Sequence, residues 1–360
     1  MLLKEIVYSS VFWNLNLKGI VGENLLVGKN SVGKSKTIRA IAQVADIISQ
    51  RLKLTHDLMV VLVLSDDEEE IHYAFQSESG IVVKETLESV RKGEKKMFIS
   101  REKMSAVLEG DSDINAPEDK LIIHIRRDTV KYPYIEKLVN WAQSVNGFSF
   151  NEIEQNPEDN TDSWFIGDKI SLLDMIHSVT DNGSNAFGIV DRMNAVGYSL
   201  RSVREYAPKK YPDIKFVVVI EDGVIAPLFS GNLSKGMYRT LFTLSLIEYL
   251  ARSKKPSMIL IDDFCEGLDY DRSVSVGKMV YEFCRDNGIQ LVAASNDSYL
   301  MDVVSLDCWH ILVREESRVS AINMISDPVL FEDFEFSGLK NIHLLSSDFI
   351  ARHKDKKGMV

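Results

Sequence analysis

The chain is 360 residues long, 45% hydrophobic and 26% charged, which is apolar enough to bury a core and excludes a disordered chain or a disulfide-stapled mini-protein. Its 42 Lys and Arg against 53 Asp and Glu give a formal charge of −11, so a surface basic all over is excluded and any nucleic-acid contact needs a local basic patch. At roughly 100 to 200 residues per domain, the length admits two ordinary domains or one large domain with an insertion.

The stretch Met1 to Lys18 carries Lys4 and Glu5 in place of a cationic leader and lacks a long apolar run, so no signal peptide is expected. The densest apolar runs, Met59 to Leu64 and Phe216 to Ile220, fall far short of the roughly 18 residues that a membrane-spanning helix requires. Cys265, Cys284 and Cys308 form no CxxC pair, which argues against a disulfide framework or a zinc site and points to a reducing cytoplasm. The histidines show no metal-ligand spacing; His124 and His310 sit in apolar strand contexts and read as satisfied core residues.

In chain order, Asn24 to Val27 form a short apolar strand. Gly28-Lys29-Asn30-Ser31-Val32-Gly33-Lys34-Ser35 follows, continuing through Lys36 into Ile38, Ala40, Ile41, Val44, Ala45 and Ile48 at helical spacing. Strand, glycine loop and helix are the setting in which G-x-x-x-x-G-K-S binds phosphate. Glycines let the backbone wrap so that successive N–H groups converge on phosphate oxygens, and the helix N-terminus adds partial positive charge. Lys34 then reaches the β and γ phosphates and the Ser35 hydroxyl holds magnesium.

From Val60 to Arg101, short β-like pieces separated by polar turns predict an antiparallel meander. Glu109 to Lys120 reads as an acidic loop and Leu121 to Ile125 as a buried strand ending at Arg126-Arg127, which face phosphate or form salt bridges. Tyr134 to Tyr206 reads as mostly helical, with a polar loop at Gln155 to Ser163 and an apolar stripe at Ile189, Met193, Val196, Leu200 and Val203. Lys215 to Ile220 and Val224 to Leu228 flank Glu221-Asp222-Gly223, a hairpin signal. Leu233-Ser234-Lys235-Gly236 then opens a helix to about Ala251, before the strand Met258 to Ile261, a helix from about Ser273 to Arg285 and the strand Gln290 to Ala294. Alternation of helices with uninterrupted apolar strands predicts an α/β fold with a mostly parallel central sheet covered on both faces.

Asp262 and Asp263 close the strand Met258 to Ile261 and put carboxylates at the carboxyl edge of the sheet, where ligands of open α/β folds bind. Asp262 is placed to act on magnesium together with Ser35, and Asp263 to orient the attacking water. Ser234 and Gly236, at a helix start, offer free backbone donors to an anion.

With these residues the sequence resembles the ATP-binding-cassette (ABC) ATPases, in the soluble branch of the SMC, Rad50, RecF and OLD-type proteins. The resemblance assigns Gly28 to Ser35 as Walker A, Leu233 to Gly236 as the signature, Ile259 to Asp263 as Walker B and Gly267-Leu268-Asp269 as the D-loop. It sets Ala294 to Asp297 where the switch strand ends, and runs from about Leu2 to Val313. The phrase Ile261 to Asp269 and the tail Phe334 to Phe349 are most like stand-alone bacterial AAA-type ATP-binding proteins, often encoded in defence or mobile-element loci. The implied fold is a P-loop NTPase of ABC type with an antiparallel β subdomain and an inserted helical subdomain. The implied division is 1–130 for the first half of the core, 131–212 for the helical insertion, 213–330 for the second half and 331–360 for the tail.

Several positions depart from the pattern that the resemblance implies. Asp263 stands in place of the usual catalytic Glu and Asn296 in place of the switch His, which implies slow hydrolysis; Glu266 is a substitute acid three residues on. Lys235 replaces a signature glycine, Ser31 a loop glycine, and nothing marks Gln143 as the Q-loop glutamine. In the family the signature of one subunit closes over the nucleotide of another, which implies a head-to-tail homodimer, or a higher homo-oligomer, around two ATP and Mg2+. With neither long coiled coil nor length for a nuclease domain, the expected role is an ATP-gated sensor or scaffold for a separate effector. The alternative is a DNA-acting ATPase contacting DNA through Arg91 to Lys96, Arg201 to Arg204 or Lys209-Lys210.

Overall fold

The computed structural model describes residues 1–66, 69–109, 111–153, 165–166, 170–180, 186–211, 213–350 and 352–353, so the polar loop expected at Gln155 to Ser163 lies outside the described residues. The chain opens with β1 (Leu2–Ser10), β2 (Asn14–Lys18), β3 (Glu23–Val27) and α1 (Lys34–Ile48). The meander follows as β4 (Leu58–Asp66), β5 (Glu69–Glu78), β6 (Ile81–Arg91), β7 (Glu94–Glu102), β8 (Ser105–Leu108) and β9 (Asp111–Asn115). Next come α2 (Ile122–Ile125), α3 (Pro133–Gln143), β10 (Val145–Ser149), β11 (Phe165–Ile166), α4 (Leu172–Val179), α5 (Phe187–Ala195), β12 (Leu200–Tyr206), β13 (Phe216–Glu221) and β14 (Leu228–Phe229). The last part holds α6 (Lys235–Arg252), β15 (Ser257–Asp262), α7 (Tyr270–Asp286), β16 (Ile289–Ala294) and α8 (Ser298–Val303), then β17 (Trp309–Glu315), β18 (Arg318–Ile322), α9 (Pro328–Phe336) and α10 (His343–Ser346).

A 15-stranded sheet runs in the order β11-β10-β15-β16-β3-β17-β18-β2-β1-β4-β5-β6-β7-β8-β9. From β10 to β17 neighbouring strands are parallel; from β4 to β9 they form the expected antiparallel meander. Side chains alternate across a strand, so each parallel strand feeds both faces. Leu26, Met258, Leu260, Val292 and Ala294 join one core with α1 and the meander. Leu25, Val27, Ile259, Ile261, Leu291 and Ala293 join another with α6, α7 and α9. This two-sided demand explains the unbroken apolar runs, and each large side chain so buried contributes roughly 1.5–3 kcal/mol.

Several elements differ from the sequence expectation. The expected strand Leu121 to Ile125 is instead extended only at Leu121 and helical as α2 from Ile122, because the buried Glu85 carboxylate accepts the N–H groups of Ile122 at 2.6 Å and Ile123 at 3.4 Å, which a strand would give to a neighbour. Leu200 and Val203 stand on β12, paired with β13, because α5 ends before Gly197, whose φ of +88° stops the helix. Within 131–212 the chain also supplies β10, in register with Walker B from Val145↔Met258 to Ser149↔Asp262. The Asp222-Gly223 turn forms, with Val224 donating to the Glu221 carbonyl, but only Leu228 and Phe229 pair with β13; Pro227 has no N–H to give a ladder. The acidic loop Glu109 to Lys120 contains β9.

A satisfied polar cluster lies beneath the phosphate loop. Asn24, on β3 and fully buried, accepts from Val21 N and His310 Nε2 and donates to the Val21 and Leu291 carbonyls, all at 2.8–2.9 Å. Asn323 donates to His310 Nδ1 at 3.1 Å, which leaves the ring proton on Nε2. Burial pushes His310 down to about 4, so it is a neutral core residue as expected.

Candidate functional site

The chain leaves β3 in the middle of the parallel strands and wraps into the glycine loop. Gly28 and Gly33 have φ of +151° and +116°, and a Cβ would stand 3.0 Å from Val32 Cγ1 and 3.1 Å from Leu312 O at Gly28, and 3.1 Å from Val319 Cγ2 at Gly33. Both glycines are therefore required by backbone and packing together. Ser31 also takes a left-handed φ of +65°, and its carbonyl accepts from Arg314 Nη1 at 3.2 Å. Val32 is buried, whereas Lys29, Asn30, Ser31 and Lys36 are exposed. No side chain caps the first turn of α1 and no acid stands in it, so its backbone donors and positive end are available to an anion.

Lys34 is 8% exposed and its Nζ donates to the Gly28 carbonyl at 2.9 Å. Burial pushes its ammonium down, against the pull of Glu266, Asp262 and Asp263. Ser35 Oγ donates to Asp262 Oδ1 at 3.1 Å, joining Walker A to Walker B across the sequence. Burial lifts the Asp262 carboxyl to about 6, eased by the Ser35 hydroxyl and worsened by Asp263.

Beyond Asp262 the backbone turns sharply. Asp263 and Cys265 have φ of +53° and +64°, left-handed values that cost about 1 kcal/mol or more each outside glycine. Between them Phe264 is fully buried, its N–H on the Ala294 carbonyl at 2.9 Å and its carbonyl accepting from Ser295 Oγ at 2.7 Å. This anchor holds the turn in place. Glu266 Oε1 accepts from Asn296 N at 2.8 Å and Asn296 Nδ2 at 3.0 Å, so the acid after β15 and the amide after β16 meet.

The signature forms a second group. Ser234 caps α6, its Oγ accepting from Met237 N at 3.2 Å, and Ser234 and Lys235 are exposed. A Cβ on Gly236 would stand 3.2 Å from Leu268 Cδ2, so signature and D-loop touch within one chain. Asp269 caps α7 through Arg272 N at 3.1 Å, and that N–H with the Arg272 guanidinium lowers its carboxyl. The Arg272 guanidinium packs over the Tyr198 ring at 4.5 Å. Among the described residues no hydrogen bond or ion pair joins Ser234, Lys235 or Gly236 to the phosphate loop.

Some contributors carried no motif. Arg239, on α6, donates to Asn151 Oδ1 at 3.0 Å and the Asn151 carbonyl at 2.6 Å, while Phe150 N–H bonds the Asp262 carbonyl at 2.8 Å. These ties lock the signature helix to the Walker B edge. Gln143 is exposed at the end of α3, its carbonyl facing Arg51 beyond the far end of α1, and that 15-residue helix separates it from the loop by about 22 Å. Arg127 makes a two-pronged ion pair with Glu136, at 2.5 Å for each bond, which decides in favour of a salt bridge. In the basic groups, Lys95 pairs with Glu88, Lys96 with Glu109 and Arg201 with Asp222.

The donor set fits a magnesium nucleotide. Among the described residues no group of three His, Cys, Asp or Glu could hold a metal, and the protein offers one hydroxyl and one carboxylate at the loop. Magnesium keeps several waters and shares phosphate oxygens, so a sparse protein contribution suits it. All three cysteines are free and buried, and no helix among the described residues is long and apolar enough to cross a membrane.

A family model described as "AAA domain, putative AbiEii toxin, Type IV TA system" matches residues 24–302. No curated protein matches the chain. Among solved structures the chain is similar to an SMC head bound to the C-winged helix domain of ScpA, at 12% identity and a TM-score of 0.53, covering 89% of this chain and 97% of that one. It is also similar to the SMC head domain from Thermotoga maritima, at 16% identity and a TM-score of 0.47, covering 90% and 99%. A third similar structure is the Smc head domain with an extended coiled coil bound to the C-terminal domain of ScpA derived from Pyrococcus furiosus, at 11% identity and a TM-score of 0.49, covering 93% and 99%. At 12% identity the first of these likenesses establishes the fold alone.

Proposed function

The chain belongs to the AAA-domain family matched over residues 24–302 and has the P-loop ATPase fold of SMC heads; on that premise we propose that it binds and slowly hydrolyses ATP with magnesium as a cytoplasmic homodimer that gates a separate effector. The observation that carries the reading is the Ser35–Asp262 hydrogen bond at 3.1 Å with Lys34 buried beside it. Residues 227 positions apart converge on one hydroxyl, one carboxylate and one ammonium.

Lys34 and the free N–H groups of α1 would hold the phosphates, and Ser35 and Asp262 the magnesium. Bound there, magnesium supplies positive charge to the β and γ phosphate oxygens. The acidic turn from Asp263 to Glu266, with Asn296 against it, orients the attacking water. Exposed Ser234 and Lys235, with Gly236 behind them, suit a surface that completes the site of a second copy, with Asp269 of the D-loop alongside. Two copies related by a two-fold axis would each supply one signature, and the γ phosphate would favour the closed pair.

The toxin–antitoxin wording of the family description supports an effector-linked role; a part in phage defence is the form of that role we propose. The pairing of Lys95, Lys96 and Arg201 with acids weakens the case for DNA. Calorimetric titration with ATP, with and without magnesium, tests the site, and sedimentation with ATP tests the dimer. Magnesium-dependent binding, an ATP-dependent dimer and turnover indifferent to duplex DNA are expected. Absence of ATP binding refutes the reading.

A further inference from the structure

We propose that Glu266, held by Asn296, is the carboxylate that takes the proton of the attacking water, in preference to Asp263. This deepens the reading of the site as an ATPase and rests on it.

The two acids are supported differently. Asp263 has its backbone N–H on Asp262 Oδ1 at 3.2 Å, and its own carboxylate makes no hydrogen bond among the described residues. Among the described residues no hydrogen bond holds that side chain in one orientation, and a base must be held within hydrogen-bond reach of its proton. Glu266 Oε1 receives two N–H donors from Asn296, at 2.8 and 3.0 Å, while Oε2 accepts no hydrogen bond among the described residues. One oxygen is pinned and the other is left for a water.

The anchor is also well placed. Asn296 follows β16, which lies between β3, the strand feeding the phosphate loop, and β15, which ends at Asp262. Its position is therefore set by the same strands that set the loop and Walker B. Glu266, Asp262 and Asp263 all pull on the buried Lys34 ammonium, so the pinned carboxylate belongs to the charged surroundings of the group proposed to reach the terminal phosphates.

In the step so described, the water oxygen bonds to the γ phosphorus and one water proton passes to Glu266. The bond from that phosphorus to the β–γ bridging oxygen breaks, and its electron pair leaves with ADP. The proton on Glu266 is then released to phosphate or solvent. Asn296 is a positioning residue and touches no reacting atom.

Steady-state ATP turnover and ATP affinity of the purified full chain test this. Glu266→Gln keeps an oxygen for Asn296 and removes the base. The expected result is a kcat at least about 100-fold lower, with ATP affinity within about threefold, a factor worth less than one tenfold step of binding. Asp263→Asn is expected to lower kcat by a smaller factor, on the order of 10. Asn296→Ala is expected to lower kcat about 10-fold with KM unchanged, and to cost nothing further when combined with Glu266→Gln. A Glu266→Gln enzyme with wild-type kcat, an Asp263→Asn loss larger than that of Glu266→Gln, or additive Asn296 and Glu266 losses overturns the inference. Wild-type protein that binds no ATP, or does not hydrolyse it, overturns the underlying reading instead.

Discussion

Lys34→Ala isolates the phosphate-binding role from the fold. Among the described residues the ammonium makes one hydrogen bond, to the Gly28 carbonyl at 2.9 Å, and burial disfavours its charge. A charged hydrogen bond contributes roughly 1.5–3 kcal/mol, and desolvation offsets much of it, so folding stability should change by about 1 kcal/mol or less. Binding behaves otherwise. Contacts to the β and γ phosphates are worth roughly 3–6 kcal/mol together, of which the released Gly28 bond returns about 1–2. The net loss of roughly 2–4 kcal/mol is a weakening of about 30- to 1,000-fold. Calorimetric titration with ATP and magnesium reads the affinity, and thermal melts without ligand read the stability. A variant that folds and binds ATP with wild-type affinity would refute the assignment of residues 28–36 as the phosphate loop.

Three further substitutions probe packing, assembly and protonation. Gly277→Ala would place a Cβ 2.4 Å from Leu300 Cδ1 in the core between α7 and α8, so a loss of about 1–3 kcal/mol and a melting temperature lower by several degrees are expected, with ATP affinity unchanged. Ser234→Arg removes the α6 cap, worth about 1 kcal/mol, and puts a bulky cation on the exposed signature; sedimentation should show monomers with ATP, and normal dimers would contradict the proposed pairing. For His310, held at about 4 by burial, the unfolded chain takes up a proton that the folded chain refuses between pH 6.5 and 4. Its stabilising contribution is therefore present above pH 6.5 and lost as pH falls through 4, by about 3 kcal/mol. Urea titrations should find wild type losing that much relative to His310→Gln over this window, and parallel curves would exclude a neutral buried ring.

The parts that the sequence disclosed are those with local rules. A glycine loop between strand and helix, alternating meander strands and apolar runs of a covered parallel sheet each state their setting within a few residues. What stayed hidden depends on distant partners. Leu121 to Ile125 has the composition of a strand, but Glu85 takes two of its N–H groups. Val145 to Ser149 contains Asn and Gly, poor strand formers, and is a strand because β15 pairs with it. The Arg239–Asn151 and Arg314–Ser31 bonds join segments that no pattern relates. In the site, motif order alone pairs Asp262 with Ser35, whereas the Glu266–Asn296 contact depends on the packing of two sheet strands.

The turn from Asp263 to Asp269 gains meaning from its two ends. One end carries Glu266 against Asn296, its charge acting on the chain's own Lys34; the other carries Leu268 against Gly236 and Asp269 capping α7. Leu268 and Glu266 are two residues apart, and Leu268 N–H bonds the Cys265 carbonyl at 3.2 Å, so the segment is short and internally tied. A partner's nucleotide pressing on Ser234 to Gly236 would therefore push, through Leu268, on the carboxylate serving the chain's own nucleotide. Buried Phe264 fixes the start of the turn and α7 its end, leaving little freedom to absorb such a displacement. On the proposed reading, two sites in a closed dimer are coupled through this one segment. Leu268→Ala, which removes the contact with Gly236 and no group placed on nucleotide, should then leave ATP affinity of the isolated chain within about twofold while reducing the gain in kcat on dimerisation. Equal gains in wild type and variant, measured across a protein-concentration series, would show that the two sites turn over independently.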